Sequence, residues 1–255
     1  MKIIKLSTIL VLIFLISTIN GFSQKSFEGH IRYIQESNWT KRMASLDYIS
    51  EARKEKMDYM WGNRSGWKMY KNLYIKNNIS KYENSEDETP GPERDMWHGK
   101  KETFFIYNDF NDMNCTDAFV FVNKDYILQD TLIKPKWKVK NDIKEIAGHI
   151  CMNATITDTV RRQNIMAWFA LDLPGNYGPD RYFGLPGIIL EIDIDNGATV
   201  ISADLIEQKE IENEVSLPKK LKGKQIDFDT YNSMLTDYIK EKEKQEEPWF
   251  WGVNF

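Results

Sequence analysis

Apolar and polar positions along this chain alternate with a period of two over most of its length, and with a period near 3.6 in two places only. The first alternating stretch, residues 26–33, reads Ser-Phe-Glu-Gly-His-Ile-Arg-Tyr and predicts a strand. Residues 40–61 change character. Met43, Leu46, Ile49, Arg53, Met57 and Met60 recur at helical spacing, which predicts one amphipathic helix or two, with Ser50 placed to restart the helix as an N-cap. β-type residues return at 67–75, and residues 82–101 are polar around Pro90-Gly91-Pro92, a loop pattern. Further strands are expected at 103–107, 118–122, 126–129, 137–139, 149–156 and 165–173, the last ended by Pro174. Ile188, Leu190, Ile192 and Ile194 then alternate with Ile189, Glu191, Asp193 and Asp195 up to Asn196-Gly197, the dipeptide of a type I′ turn. Thr199, Ile201, Ala203 and Leu205 form the inner face of the returning strand. A C-terminal helix capped by Asp227 or Asp229 presents Phe228, Tyr231, Met234, Leu235, Tyr238 and Ile239 on one face.

The first 23 residues stand apart from this pattern. Lys2 and Lys5 precede an apolar run over 9–19, and Gly21-Phe22-Ser23 supplies small residues at −3 and −1, so the reading is a signal peptide cleaved after Ser23. The run is shorter than the ~20 residues of a membrane span, and the first cysteine after it is Cys115, far from the cleavage site, which argues against a lipoprotein. The expectation is a periplasmic or extracellular protein with no transmembrane span after signal removal. Residues 24–255 are then one domain, with 248–255 as an aromatic tail. At 42% hydrophobic and 13% aromatic the chain as a whole is not disordered, and a net charge of −4 over all 255 residues leaves no basic footprint for nucleic acid. Two cysteines permit one disulfide, Cys115 to Cys151, which an oxidising compartment allows; two buried free thiols are the open alternative.

The densest turn chemistry lies at 175–187, where Gly175-Asn176, Gly178-Pro179 and Gly184-Leu185-Pro186-Gly187 lead into Ile188-Ile189-Leu190. Glycines on both sides of Leu185-Pro186 permit positive φ or close backbone approach, and Pro186 holds Leu185 extended. The segment 184–189, with Trp137, residues 146–151, Ala167-Trp168-Phe169 and Gly178-Pro179, resembles the GLPGLI family of exported Bacteroidetes proteins, with Ile188 where the family name has Leu. The resemblance implies compartment and fold. It carries no catalytic residues.

Catalytic constellations are weak. Residues 175–187 lack phosphate-loop spacing, there is no G-x-S-x-G, and only His30, His98 and His149 are available as bases. His149 and Cys151 share one strand face, a Cys–His arrangement that a Cys115–Cys151 bond would cancel. Met57 and Met60, with Met43, Met69, Met96 and His98, offer soft ligands but read better as core. No cofactor and no metal is expected. The carboxylates Asp109, Asp112, Glu191 and Asp193 support an alternative, hydrolysis of glycans or peptides by a carboxylate pair.

The aromatic surplus is more informative. Trp61, Trp67, Trp97, Trp249, Phe250 and Trp251 lie near loops or the chain end, and in an extended tail Trp249, Trp251, Val253 and Phe255 would share one face. The sequence reading is therefore an α+β fold: a curved, mainly antiparallel, half-barrel-like sheet with an early amphipathic helix and a C-terminal helix, by analogy with lipoprotein carriers of the cell envelope. The function expected is non-catalytic binding of an apolar or peptide-like ligand, or of an outer-membrane partner, through Trp168, Tyr177, Arg181, Tyr182, Leu185, Trp249 and Trp251.

Overall fold

Twelve strands form one sheet in the computed structural model, which describes residues 26–62, 66–87 and 104–253. The signal peptide, Pro90-Gly91-Pro92, Trp97, His98 and Phe255 lie outside the described residues. In chain order the elements are β1 (Gly29–Asn38), α1 (Trp39–Ala44), α2 (Glu51–Trp61), β2 (Gly66–Lys76), β3 (Ile79–Asn84), β4 (Phe105–Asp109), β5 (Asn114–Phe121) and β6 (Lys124–Thr131). β7 (Lys138–Ile146), β8 (His149–Asp158), β9 (Gln163–Ala170), β10 (Ile188–Ile194), β11 (Thr199–Gln208), β12 (Lys224–Ile226) and α3 (Phe228–Lys244) follow, and a 3₁₀ turn (Trp249–Trp251) closes the chain. The sheet order is β12-β6-β5-β4-β3-β2-β1-β11-β10-β9-β8-β7, antiparallel except for the short β12–β6 pair. The sheet is open and the fold is largely β, so the helices weigh less than an α+β description implies.

One connection constrains the shape. Residues 132–137 join β6, next to one end of the sheet, to β7, the opposite end. Six residues between strand ends reach at most about 25 Å. Ten strand spacings of a flat sheet measure about 48 Å. A flat sheet cannot satisfy both, so its two ends are drawn toward each other. β7 is a bare edge, exposed over most of its length, with Lys138 and Lys140 among its solvent-facing residues.

Two large clusters fill the interior, beside a small third one of Phe105, Ala118 and Ile127. The larger runs across the sheet from Ile106 on β4 to Cys151 and Ala154 on β8, and takes in Tyr177, Leu185, Ile188 and Ile189 from loop 171–187 and the start of β10. The smaller packs Met43, Leu46 and Ile49 together with Tyr231, Leu235 and Ile239 of α3 onto Cys115, Phe119 and Phe121 of β5. Phe104 and Phe110 touch both.

Four local readings are corrected by the structure. The amphipathic pattern at 40–61 is fully buried only through Ile49; α2 itself is largely solvent-exposed, with Met60 51% accessible, and of its apolar residues Met57, half-buried, packs against the smaller cluster. β3 follows the Asn77-Asn78 turn, both residues at positive φ, through residues that the pattern left unassigned, and its last three residues, 82–84, fall at the start of what reads as a polar loop. The β10–β11 connection is a four-residue loop over 195–198 in which Asp195, Asn196 and Gly197 all have positive φ, not a two-residue turn. An irregularity between Arg32 and Tyr33 lets β11 skip Asp204, so Ile206 rather than Leu205 joins the core beyond it.

Candidate functional site

Loop 171–187 is the organising element. It leaves β9, crosses toward the β2–β3 turn and β5, and returns to start β10. Tyr177 is buried and anchors the crossing: its hydroxyl donates to Asn78 Oδ1 at 3.1 Å, its ring stands edge-on to Phe110, and its carbonyl accepts from Ile189 N–H at 2.9 Å. The exit is equally constrained. Gly187 has φ +156°, and a Cβ there would lie 2.2 Å from Ala170 O. Gly184 has φ +92° and a Cβ would press on the Lys134 stem. Tyr33 on β1 donates to Ile189 O at 2.7 Å, fixing the start of β10 from two strands away.

Between these anchors the loop delivers Arg181 to β5. Along β5 the inward-facing series is Cys115, Asp117, Phe119, Phe121, an acid in an otherwise apolar phase. Arg181 Nε donates to Asp117 Oδ2 at 2.7 Å, with the carboxylate 1% exposed and the arginine side chain 20%. The guanidinium also lies 4.8 Å above the Tyr231 ring of α3 and 5.5 Å from that of Phe119. Burial pushes the Asp117 carboxyl up to about 6 despite the pull of Arg181. Burial alone would lower Arg181, but Asp117, Tyr231 and Asp180 together raise it, so it stays charged. Asp117 Oδ1 has no hydrogen-bond partner. Arg161, from the β8–β9 turn, is held by Asp158 and donates to the Tyr231 hydroxyl at 2.7 Å.

This ion pair forms the floor of a cavity of about 250 Å³. Asn108, Cys115, Leu132 and Phe183 complete the buried part, Phe228 is half-buried, and exposed Ile133, Asp229 and Asn232 frame the mouth. Trp137 Nε1 donates to Phe183 O at 2.9 Å and so holds the wall next to the β6–β7 connection. The thiol of Cys115 is pushed up to about 12, mainly by burial and then by Asp117, so it is no nucleophile near neutral pH. A second, smaller space of about 90 Å³ lies between Arg42, Tyr48, Arg162, Trp249 and Phe250.

The residues expected to bind a ligand or partner are dispersed. Arg181 alone among them lines the larger cavity. Tyr182 is next to it, half-buried against Trp137, and its phenol is raised by burial and Asp180. Tyr177 and Leu185 are core. Trp168 lies on β9 under Lys144, whose Nζ is 4.5 Å from the ring centroid. The tail is not an extended strand with Trp249 and Trp251 on one face. Its 3₁₀ turn buries Trp249 and Phe250 and leaves Trp251 52% exposed, while Val253 bridges to Phe121.

Cys115 and Cys151 are buried free thiols on β5 and β8, each in a different cluster, so the disulfide expected as one alternative is not formed. His149 Nδ1 is paired with Asp172 at 2.8 Å, and the Cys151 thiol donates to the His149 carbonyl rather than to its ring. The four carboxylates weighed for hydrolysis are apart in role. Asp109 caps Asn111 and Asp112, Asp112 is exposed, Glu191 pairs with Lys144 and accepts from Ser202, and Asp193 accepts from Gly197 N–H.

Sequence reasoning missed Asp117, Asn108, Phe183 and Phe228. The legible signal was Asp117, an acid at an apolar-phase position of a strand; Arg181 was read as a candidate binding residue, but its pairing with Asp117, 64 residues away in sequence, carried no signal.

A family described as "Protein of unknown function (Porph_ging)" matches residues 159–191, which hold β9, loop 171–187 and the first residues of β10. No curated protein matches the chain. Among solved structures, PNGF-II in its P21 and C2 crystal forms aligns at 15% identity with TM-scores of 0.49 and 0.50 over 82% of this chain. The chain spans about a third of the length of those chains, 33% and 32%, and the likeness of the C2 form concerns the fold alone. No helix among the described residues is long and apolar enough to cross a membrane.

Proposed function

We propose that this chain is an exported, non-catalytic binding protein of the cell envelope, periplasmic or extracellular, that takes a small ligand with an apolar body into the cavity between β5, α3 and loop 171–187. The observation that carries the reading is the pairing of a room-sized void with a polar floor: Leu132, Phe183 and Phe228 offer apolar wall, and Asp117 and Arg181 offer fixed, buried polarity. The depressed acidity of Cys115 and the engaged carboxylates elsewhere favour binding over chemistry. A half-barrel form of the sheet is supported by the six-residue link between its two ends. Membership of the GLPGLI proteins is supported by residues 184–189, which fall inside the matched segment. Hydrolysis by a carboxylate pair draws no support from Asp109, Asp112, Glu191 or Asp193.

Native mass spectrometry of the mature chain purified from its own envelope fraction tests this reading. A co-purifying small molecule that is lost on Leu132→Trp, which fills the cavity, is the expected result. A mature chain that is absent from the envelope, or that carries nothing and binds nothing in a small-molecule screen, overturns it.

A further inference from the structure

The smaller space, about 90 Å³ between α1, the β8–β9 turn, the end of α3 and the 3₁₀ turn, contains a charge that the fold leaves unanswered. Arg42 stands in the last turn of α1. Its guanidinium lies 4.1 Å from the Phe250 ring centroid and 5.1 Å from that of Trp39, two rings that stack on each other at 5.7 Å. A ring face attracts the cation but leaves the five N–H donors, which lie in the guanidinium plane, in need of acceptors. No described residue takes a hydrogen bond from that guanidinium or pairs with it, and Asp195 acts on it through space alone. Burial pushes the group down to about 10, so it stays charged at neutral pH.

The other polar groups of this space are engaged. Arg161 is held by Asp158 at 2.7 Å and donates to the Tyr231 hydroxyl, and Arg162 pairs with Glu243 and, at 3.6 Å, with Asp47. Ser45 Oγ donates to the Arg42 carbonyl, the Tyr48 hydroxyl donates to the Glu247 carbonyl, and Asp195 Oδ1 accepts from Asn164 N–H. What is missing is an acceptor opposite Arg42, which is half-buried rather than sealed and lines the space, so a guest can reach it. A buried charge without a partner is costly, and an anion relieves that cost more fully than water does. The volume of about 90 Å³ is several times the ~10–15 Å³ that admits one water and well below the ~300 Å³ of a site for a drug-sized molecule, so it takes a group of a few heavy atoms. A dianion would meet Asp47 and Asp195, which also line the space, with doubled repulsion. A single carboxylate matches one planar guanidinium through two parallel N–H···O bonds.

We propose that this space is a carboxylate site, in which Arg42 donates two hydrogen bonds to the carboxylate of a small organic acid or of a peptide end, beside the stacked rings of Trp39 and Phe250. The site is separate from the cavity at Arg181 and goes beyond the binding reading above without resting on it. Its walls come from α1, the β8–β9 turn, α3 and the 3₁₀ turn, so a bound carboxylate joins the early helix to the aromatic tail.

The test is a titration of the full mature chain at constant ionic strength, followed by nuclear magnetic resonance at the Arg42 Nε–H and the Trp249 indole N–H. The probes are acetate, its uncharged isostere acetamide, N-acetylglycine and inorganic phosphate. Acetate should shift both signals saturably and bind at least about tenfold more tightly than acetamide, as expected of a charge-assisted pair. Tighter binding of N-acetylglycine than of acetate identifies a peptide end as the source, and equal or weaker binding a free acid; both support the site. Arg42→Gln should abolish the acetate response at Trp249. Arg42→Lys, which keeps the charge without the planar fork, should weaken it several-fold and serves alone if the glutamine variant does not fold. Acetamide binding as tightly as acetate, or phosphate binding more tightly, overturns the carboxylate site. Shifts that never saturate overturn it as well, and mean that the guanidinium is only hydrated.

Discussion

Lys71 shows at the scale of one residue how burial is tolerated in this fold. Its side chain lies inside β2, its ammonium is satisfied by the Asn84 amide and sits 3.9 Å from the Phe104 ring centroid, and no carboxylate is bonded to it. Burial lowers it from 10.5 to about 7. The folded state then binds fewer protons than the unfolded state between those values, so stability rises with pH from about 7 to 10.5 and the penalty is complete below 7. Lys71→Met should stabilise by roughly 1–3 kcal/mol at pH 6 and give no gain near pH 10; urea titrations of both proteins at the two pH values check this. Asp117 runs the other way. Raised from 3.8 to about 6, it contributes stability that is present below pH 4 and lost as pH rises through 6. Relative to Asp117→Asn, the wild type should lose roughly 3 kcal/mol across that window. Both residues were legible as oddities, charges at apolar-phase positions of strands. Their partners were not, because Asn84 and Arg181 come from segments whose placement depends on the whole sheet.

The loop and the tail make the contrast at the scale of elements. Gly187→Val forces a β-branched side chain into positive φ and onto the Ala170 carbonyl, 2.2 Å from the new Cβ. Its cost should exceed the ~1 kcal/mol of an ordinary glycine replacement several-fold, and thermal melts should show it against a modest loss for Tyr182→Ala. At the tail, Trp249→Ala removes a ring buried in the second cluster and should cost about 3–5 kcal/mol, whereas Trp251→Ala, half-exposed, should melt close to wild type. Periodicity located most strands, because an inward apolar phase leaves a two-residue trace wherever one face packs. It failed at β3, where Ser80 and Lys81 are buried polar residues and blur the trace. It misled in part at α2, where of the helically spaced methionines Met57 packs and Met60 is exposed. It also left the tail ambiguous, since a run of aromatics has the same pattern in a strand and in a 3₁₀ turn.

For the whole molecule, the two interior clusters share Phe104 and Phe110, and loop 171–187 is bonded into both. Neither cluster can lose its packing without exposing the other. Unfolding should therefore be a single transition, with tryptophan fluorescence and far-ultraviolet circular dichroism giving the same midpoint; separated midpoints would mean that the α3 face opens independently.

The connection over 132–137 ties this global property to the site. Its residues Leu132 and Ile133 line the cavity, Lys134 lies against Gly184, and Trp137 holds the Phe183 carbonyl, while the same segment spans the gap between the two ends of the sheet. It works as a drawstring. Any splaying of β7 away from β6 pulls on the wall that contains Leu132, and any ligand seated against that wall resists the splaying. Occupancy of the cavity and the breathing of the sheet are thus two readouts of one mechanical coordinate, so a guest seated against Leu132 should slow hydrogen exchange along β7 and β8, where it touches nothing.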